Sequence, residues 1–189
     1  MRRRRTHLSI GILAVAALAL IATSFAIAGG RHDGKGKKDD DTNASARMDA
    51  FQENPSVSSL ATGTFRAEVA NDKITYRLDW KDLSGPPLFA HVHISQRGVN
   101  GGVSFFLCGG GGKPACPQAT SGTVTGTVVA TDVLAIPAPQ QFVAGDLATV
   151  LAAMRAGATY ANMHTTKFPG GEIRGQIKLH HGHGHGDPH

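Results

Sequence analysis

The sequence predicts a mostly β protein: a Greek-key-like antiparallel β-sandwich with one short helix, flanked by disordered tails. Three observations carry this. Apolar and polar residues alternate over several short runs, which is the period of half-buried strands. Glycine and proline punctuate those runs at close intervals, as they do in sandwiches and barrels. One segment alone shifts to helical spacing.

Taken in order, Gly63 to Ala70 places Phe65, Ala67 and Val69 on one face and Arg66 and Glu68 on the other. Asn71-Asp72 is a turn signal. Lys73 to Trp80 then repeats the alternation, with Ile74, Tyr76, Leu78 and Trp80 on one face, so the two runs form a hairpin. Gly85-Pro86-Pro87 breaks the chain before a strand over Leu88 to Ser95. Further strands are expected over Gly102 to Leu107, Gly122 to Ala130, Thr159 to His164 and Glu172 to Leu179. Between them, Leu147, Val150, Leu151 and Met154 recur at helical spacing. Asp146 is placed to cap the start of that helix and Gly157 its end.

The flanks read differently. Met1 and the arginines Arg2 to Arg5 precede an almost unbroken apolar run from Leu8 to Ala28 that leaves through Ala26-Ile27-Ala28. This is the layout of a secretory signal peptide over residues 1–28; an uncleaved N-terminal anchor spanning residues 8–28 is the alternative. Either way the arginines stay on the cytoplasmic side and the rest is exported, to the cell envelope or beyond. Residues 29–46, with Lys35 to Lys38 running into Asp39 to Asp41, form a linker too polar to offset ordering entropy. One domain is expected over residues 47–179. Residues 180–189 form a low-complexity tail whose His180, His181, His183, His185 and His189 suit weak, flexible metal binding.

Charge excludes one class. Four of the 19 basic residues are Arg2 to Arg5, and the 15 that remain balance 14 acidic ones. A nucleic-acid binder keeps a basic face; this chain does not. The motifs of hydrolases and nucleotide binders are also missing. Cys108 and Cys116 bracket a glycine-rich loop, which in an exported chain favours a disulfide worth about 2–3 kcal/mol. Two thiolates on a metal is the weaker reading, since structural zinc takes four ligands.

The residues with chemistry are histidines. Positions two apart share a strand face, so Ala90, Val92 and Ile94 take the core while His91 and His93 project together the other way. Ala161 and Met163 likewise leave Tyr160, Asn162 and His164 on one face. Should the two strands share a sheet, His91, His93 and His164 converge, with Asn162 and Tyr160 behind them. Three neutral imidazoles suit copper or zinc; a structural polar cluster is the competing reading. Glu172 and Arg174 also share a face and are expected to form a structural ion pair. No residue is assigned a catalytic role.

Gln52-Glu53-Asn54-Pro55, Ala90-His91-Val92-His93 with Gly98, Gly126, Gly157 to Thr165 and Pro169 to Gln176 together resemble the chordin-type (CHRD) domain from Met48 to Leu179. That resemblance implies an exported β-sandwich without established activity in bacteria, acting as a non-enzymatic binding or structural module toward an envelope or extracellular protein. The His-x-His and Gly-Glu-Ile-Arg-Gly segments are also similar to phrases in copper/zinc superoxide dismutases. A dismutase-like redox enzyme is thus a third reading, weakened because those enzymes require more histidines and an aspartate.

Overall fold

A computed structural model describes residues 42–180, and among these described residues there are nine strands and one α-helix. The strands are β1 (Thr42–Asp49), β2 (Thr62–Val69), β3 (Lys73–Lys81), β4 (Pro87–Ile94), β5 (Gly102–Cys108), β6 (Gly122–Val129), β7 (Thr159–Thr165), β8 (Ile173–Gln176) and β9 (Lys178–His180). The helix is α1 (Leu147–Arg155). The expected signal peptide or anchor, residues 29–41 of the expected linker and residues 181–189 of the expected tail lie outside the described residues.

Every pairing is antiparallel. The strands join in one sheet in the order β5-β4-β7-β8-β1-β2-β3-β6, with β9 also on β1. The sheet curls until it is nearly closed. The alternation in β2 and β3 sends Phe65, Ala67, Val69, Ile74, Tyr76, Leu78 and Trp80 into the interior. Their register, Phe65 opposite Leu78 and Val69 opposite Ile74, is the one a hairpin around Asn71-Asp72 requires. The Tyr76 hydroxyl crosses the interior and donates to the Leu107 carbonyl at 2.7 Å, tying β3 to β5. Gly126 makes this crossing sterically feasible, because a Cβ there would stand 2.4 Å from the Tyr76 Oη.

The helix forms where its spacing predicts. Asp146 caps it by accepting from the Thr149 amide at 3.0 Å, and Gly157 follows with φ +70°. Leu147, Val150, Leu151 and Met154 are buried. Cys108 and Cys116 form the expected disulfide.

Two boundaries differ from expectation. Residues 42–46, read as the end of the linker, belong to β1. Their small side chains hide the alternation, yet Ala44, Ala46 and Met48 point inward opposite Ala67, Phe65 and Gly63. The strand expected over Glu172 to Leu179 divides instead into β8 and β9, with Ile177 buried between them. β9 takes in His180, expected as the first tail residue; it pairs with Asn43 and its Nε2 lies 2.8 Å from the Ser45 Oγ.

Candidate metal centre

The site is built on β4 and β7, adjacent strands whose register sets Phe89 opposite His164, His91 opposite Asn162 and His93 opposite Tyr160. Ala90, Val92, Ile94, Ala161 and Met163 fill the interior, so these six side chains share the other face, as the period of two requires. That face is covered: His91, Tyr160, Asn162 and His164 are buried and His93 is half-buried. Register shifts of β4 against β5 fall just before His91 and just before His93. Such bulges re-aim side chains, and here the two ring centroids stand only 4.5 Å apart. His164 closes the cluster, 4.6 Å from His91 centroid to centroid.

Each histidine offers a ring nitrogen, and the three nitrogens lie within 4.8 Å of one another. Points so spaced all fall within about 2.8 Å of a common centre, against a histidine–metal bond of about 2.0–2.1 Å. Adjustments below about 1 Å therefore bring all three to one ion. The rings are oriented from behind. His93 Nδ1 donates to the Gly101 carbonyl at 2.8 Å and His164 Nδ1 to the Pro169 carbonyl at 2.9 Å. A carbonyl only accepts, so both rings carry their proton on Nδ1 and keep the Nε2 lone pair free, the arrangement that outer-shell partners impose on metal ligands. His91 Nδ1, His93 Nε2 and His164 Nε2 are all buried without a hydrogen-bond partner. Buried polar atoms are ordinarily paired, and each exception calls for an explanation such as an ion.

Electrostatics keep the rings neutral. Burial first, then the adjacent His93 and His164, pushes the His91 pKa down to about 2. Burial takes His93 down to about 4 against its bond to Gly101, and His164 is lowered for the same reason against its bond to Pro169. Neutral imidazoles are the form that binds metal, with no proton to displace.

Around the triad, beside the expected Tyr160 and Asn162, stand two phenylalanines that the sequence reading did not single out. Phe89 packs on His91 and His164, and Phe106 meets His91 edge-on. Phe89 lies two residues before His91, so alternation itself could have found it. Tyr160 stacks on His93 at 4.5 Å with the rings 9° from parallel, and the Arg174 guanidinium sits 3.4 Å over the Tyr160 ring. Asn162 donates to the Glu53 carboxylate at 2.6 Å. Burial raises the Glu53 pKa to about 7 against the pull of Arg174.

Glu172 and Arg174 do not form the expected pair with each other. The Glu172 carboxylate accepts from Ser59 Oγ at 2.6 Å, the Ser84 amide at 2.8 Å and Thr165 Oγ1 at 2.7 Å. Arg174 donates to Asn100 Oδ1 at 2.9 Å and the Val99 carbonyl at 2.6 Å. Each stitches a different loop to the sheet, because loop donors and acceptors reach them before they reach each other. Of the tail histidines, His180 lies in β9; His181, His183, His185 and His189 fall outside the described residues.

Residues 44–177 match the CHRD domain. The chain belongs to the CHRD domain family. No curated protein and no solved structure matches it. Within this CHRD domain, segments far apart in sequence gather around one place. Glu53 contacts Asn162, Ala90 to His93 lie on β4, Tyr160 to Thr165 form most of β7, and Pro169 to Gln176 supply the covering turn and β8. Among the described residues the metal-type cluster is His91, His93 and His164; it contains no aspartate of the kind a dismutase requires.

Proposed function

We propose that this CHRD domain is an exported, non-enzymatic binding module of the cell envelope and that its His91–His93–His164 cluster binds one copper or zinc ion. The observation that carries the metal reading is three imidazoles that each offer a ring nitrogen within 4.8 Å of the others and that each bury one nitrogen without a hydrogen-bond partner. Three imidazoles are a donor set suited to copper and zinc, and the carbonyls behind two of the rings fix their tautomers with Nε2 free. Export is supported by the disulfide, since such bonds persist in oxidising compartments, and by the basic, apolar N-terminal segment. Any protein partner is an envelope or extracellular one. The domain presents exposed Phe51, Leu60 and Val143, but these are scattered single residues that need no partner.

The test uses the full chain with His181, His183, His185 and His189 changed to serine, so that the histidines beyond β9 contribute no binding. Metal content after exposure to micromolar copper or zinc is expected to be one equivalent, lost on adding His164→Gln. No bound ion would remove the metal reading and leave an exported module.

A further inference from the structure

We propose that the three-histidine centre selects monovalent copper, held three-coordinate, over zinc and divalent copper. This rests on the metal reading above and names the ion. The donors are three neutral imidazoles, so nothing in the ligand set cancels the ion's charge. Cys108 and Cys116 are joined to each other and supply no thiolate. The buried carboxylates nearby are already engaged, Glu53 by Asn162 and Glu172 by Ser59, Ser84 and Thr165. Behind His93, the stacked Tyr160 and Arg174 add a fixed cation to the same layer.

The cost of moving an ion out of water grows with the square of its charge, so a dication is penalised about four times as heavily as a monocation of like size. With no anionic ligand and an arginine close by, that penalty is not offset. Coordination number points the same way. Zinc and divalent copper take four or more ligands, the fourth from water where the protein supplies three. Here one nitrogen of each ring is buried without a partner, Phe89 packs on the rings of His91 and His164, and Phe106 packs on that of His91. A water ligand has to displace that packing. Monovalent copper has a filled d shell, imposes no geometry, and is satisfied by three imidazoles. It enters as Cu(I), so no electron is transferred, and the rings are neutral, so no proton is released.

The experiment is anaerobic competition between bicinchoninate and the full chain carrying the four tail serines for Cu(I), with parallel chromophore competitions for zinc and Cu(II). The expected result is one equivalent of Cu(I) bound on the order of 100-fold more tightly than either dication, with binding abolished by His91→Gln or His164→Gln. Copper K-edge absorption of the unsubstituted cluster in the same tail-serine chain is expected to count three nitrogen neighbours, and this needs no ligand variant to fold. If zinc or Cu(II) binds as tightly with the same dependence on the histidines, ion selection is overturned while the three-histidine site stands. A fourth light-atom neighbour on Cu(I) also overturns it. Failure of all three ions to bind in a histidine-dependent way overturns both.

Discussion

Lowering the pH of the metal-free protein from 7.0 to 5.0 tests the burial of the triad directly. His91 and His93 have folded pKa values pushed down to about 2 and about 4, chiefly by burial, against an unfolded value of 6.5. The folded value is the lower one, so between the two the unfolded chain takes up protons that the folded chain refuses. Stability is therefore fully present above about pH 6.5 and is lost as pH falls. At pH 5.0 the gap to 6.5 is worth about 2 kcal/mol per ring at about 1.4 kcal/mol per unit, or about 4 kcal/mol for the two. Glu53 works in the opposite sense. Its folded pKa is raised to about 7 by burial, so its contribution is greatest below the unfolded carboxylate value of 4.5 and fades as pH rises through 7. Acidification over the same interval returns about 2 kcal/mol. His164, also lowered by burial, adds a loss of the same sign, so the intact chain should lose at least about 2 kcal/mol and the Glu53→Gln chain at least about 4 kcal/mol. The assay is urea unfolding at both pH values with chelator present, followed by far-ultraviolet circular dichroism. A Glu53→Gln protein equally stable at pH 7.0 and 5.0 would refute the neutral, buried triad.

Other perturbations have defined outcomes. Replacing Cys108 and Cys116 together with serine removes a cross-link spanning eight positions and should cost about 2.5 kcal/mol in urea unfolding; unchanged stability would show that the glycine-rich loop is ordered without it. Gly126→Val places carbon against the Tyr76 hydroxyl and ring, and should cost about 1–3 kcal/mol through overpacking; a matching loss in a Tyr76→Ala background, which removes hydroxyl and ring together, would place the strain elsewhere. Glu172→Ala strands two hydroxyl donors and one amide and should cost about 3 kcal/mol or more, with hydrogen exchange accelerated first at the Ser84 amide.

The strands were legible because alternation is a local property, and the pairing of Tyr160, Asn162 and His164 with the His-x-His strand followed from one assumption, that the two strands share a sheet. The bulges that bring His91 and His93 together were not legible, since they arise from mismatch between β4 and β5 rather than from either sequence alone. The start of β1 was hidden for a different reason. Thr42, Asn43, Ala44 and Ser45 carry neither bulk nor branching beyond one threonine, so composition reads them as linker, although Ala44 and Ala46 are buried opposite Ala67 and Phe65. Arg174 lies in β8 while Glu172 lies just before it, so the spacing that gave them a shared face did not carry over. Their partners sit in loops that no periodicity describes, and the same is true of Gly101 and Pro169, whose carbonyls orient two of the imidazoles.

The pairing of β1 with β9 has a mechanical consequence. Asn43 lies opposite His180, so the first and last described residues leave the fold side by side. Tension applied between the two ends of the chain opens this antiparallel seam rung by rung instead of shearing it along its length. The three-residue β9 releases first, while the histidine-bearing strands on the far side of β8 carry no load. A molecule moored at its leading end and tugged by its trailing end yields at that seam with its imidazole cluster undisturbed.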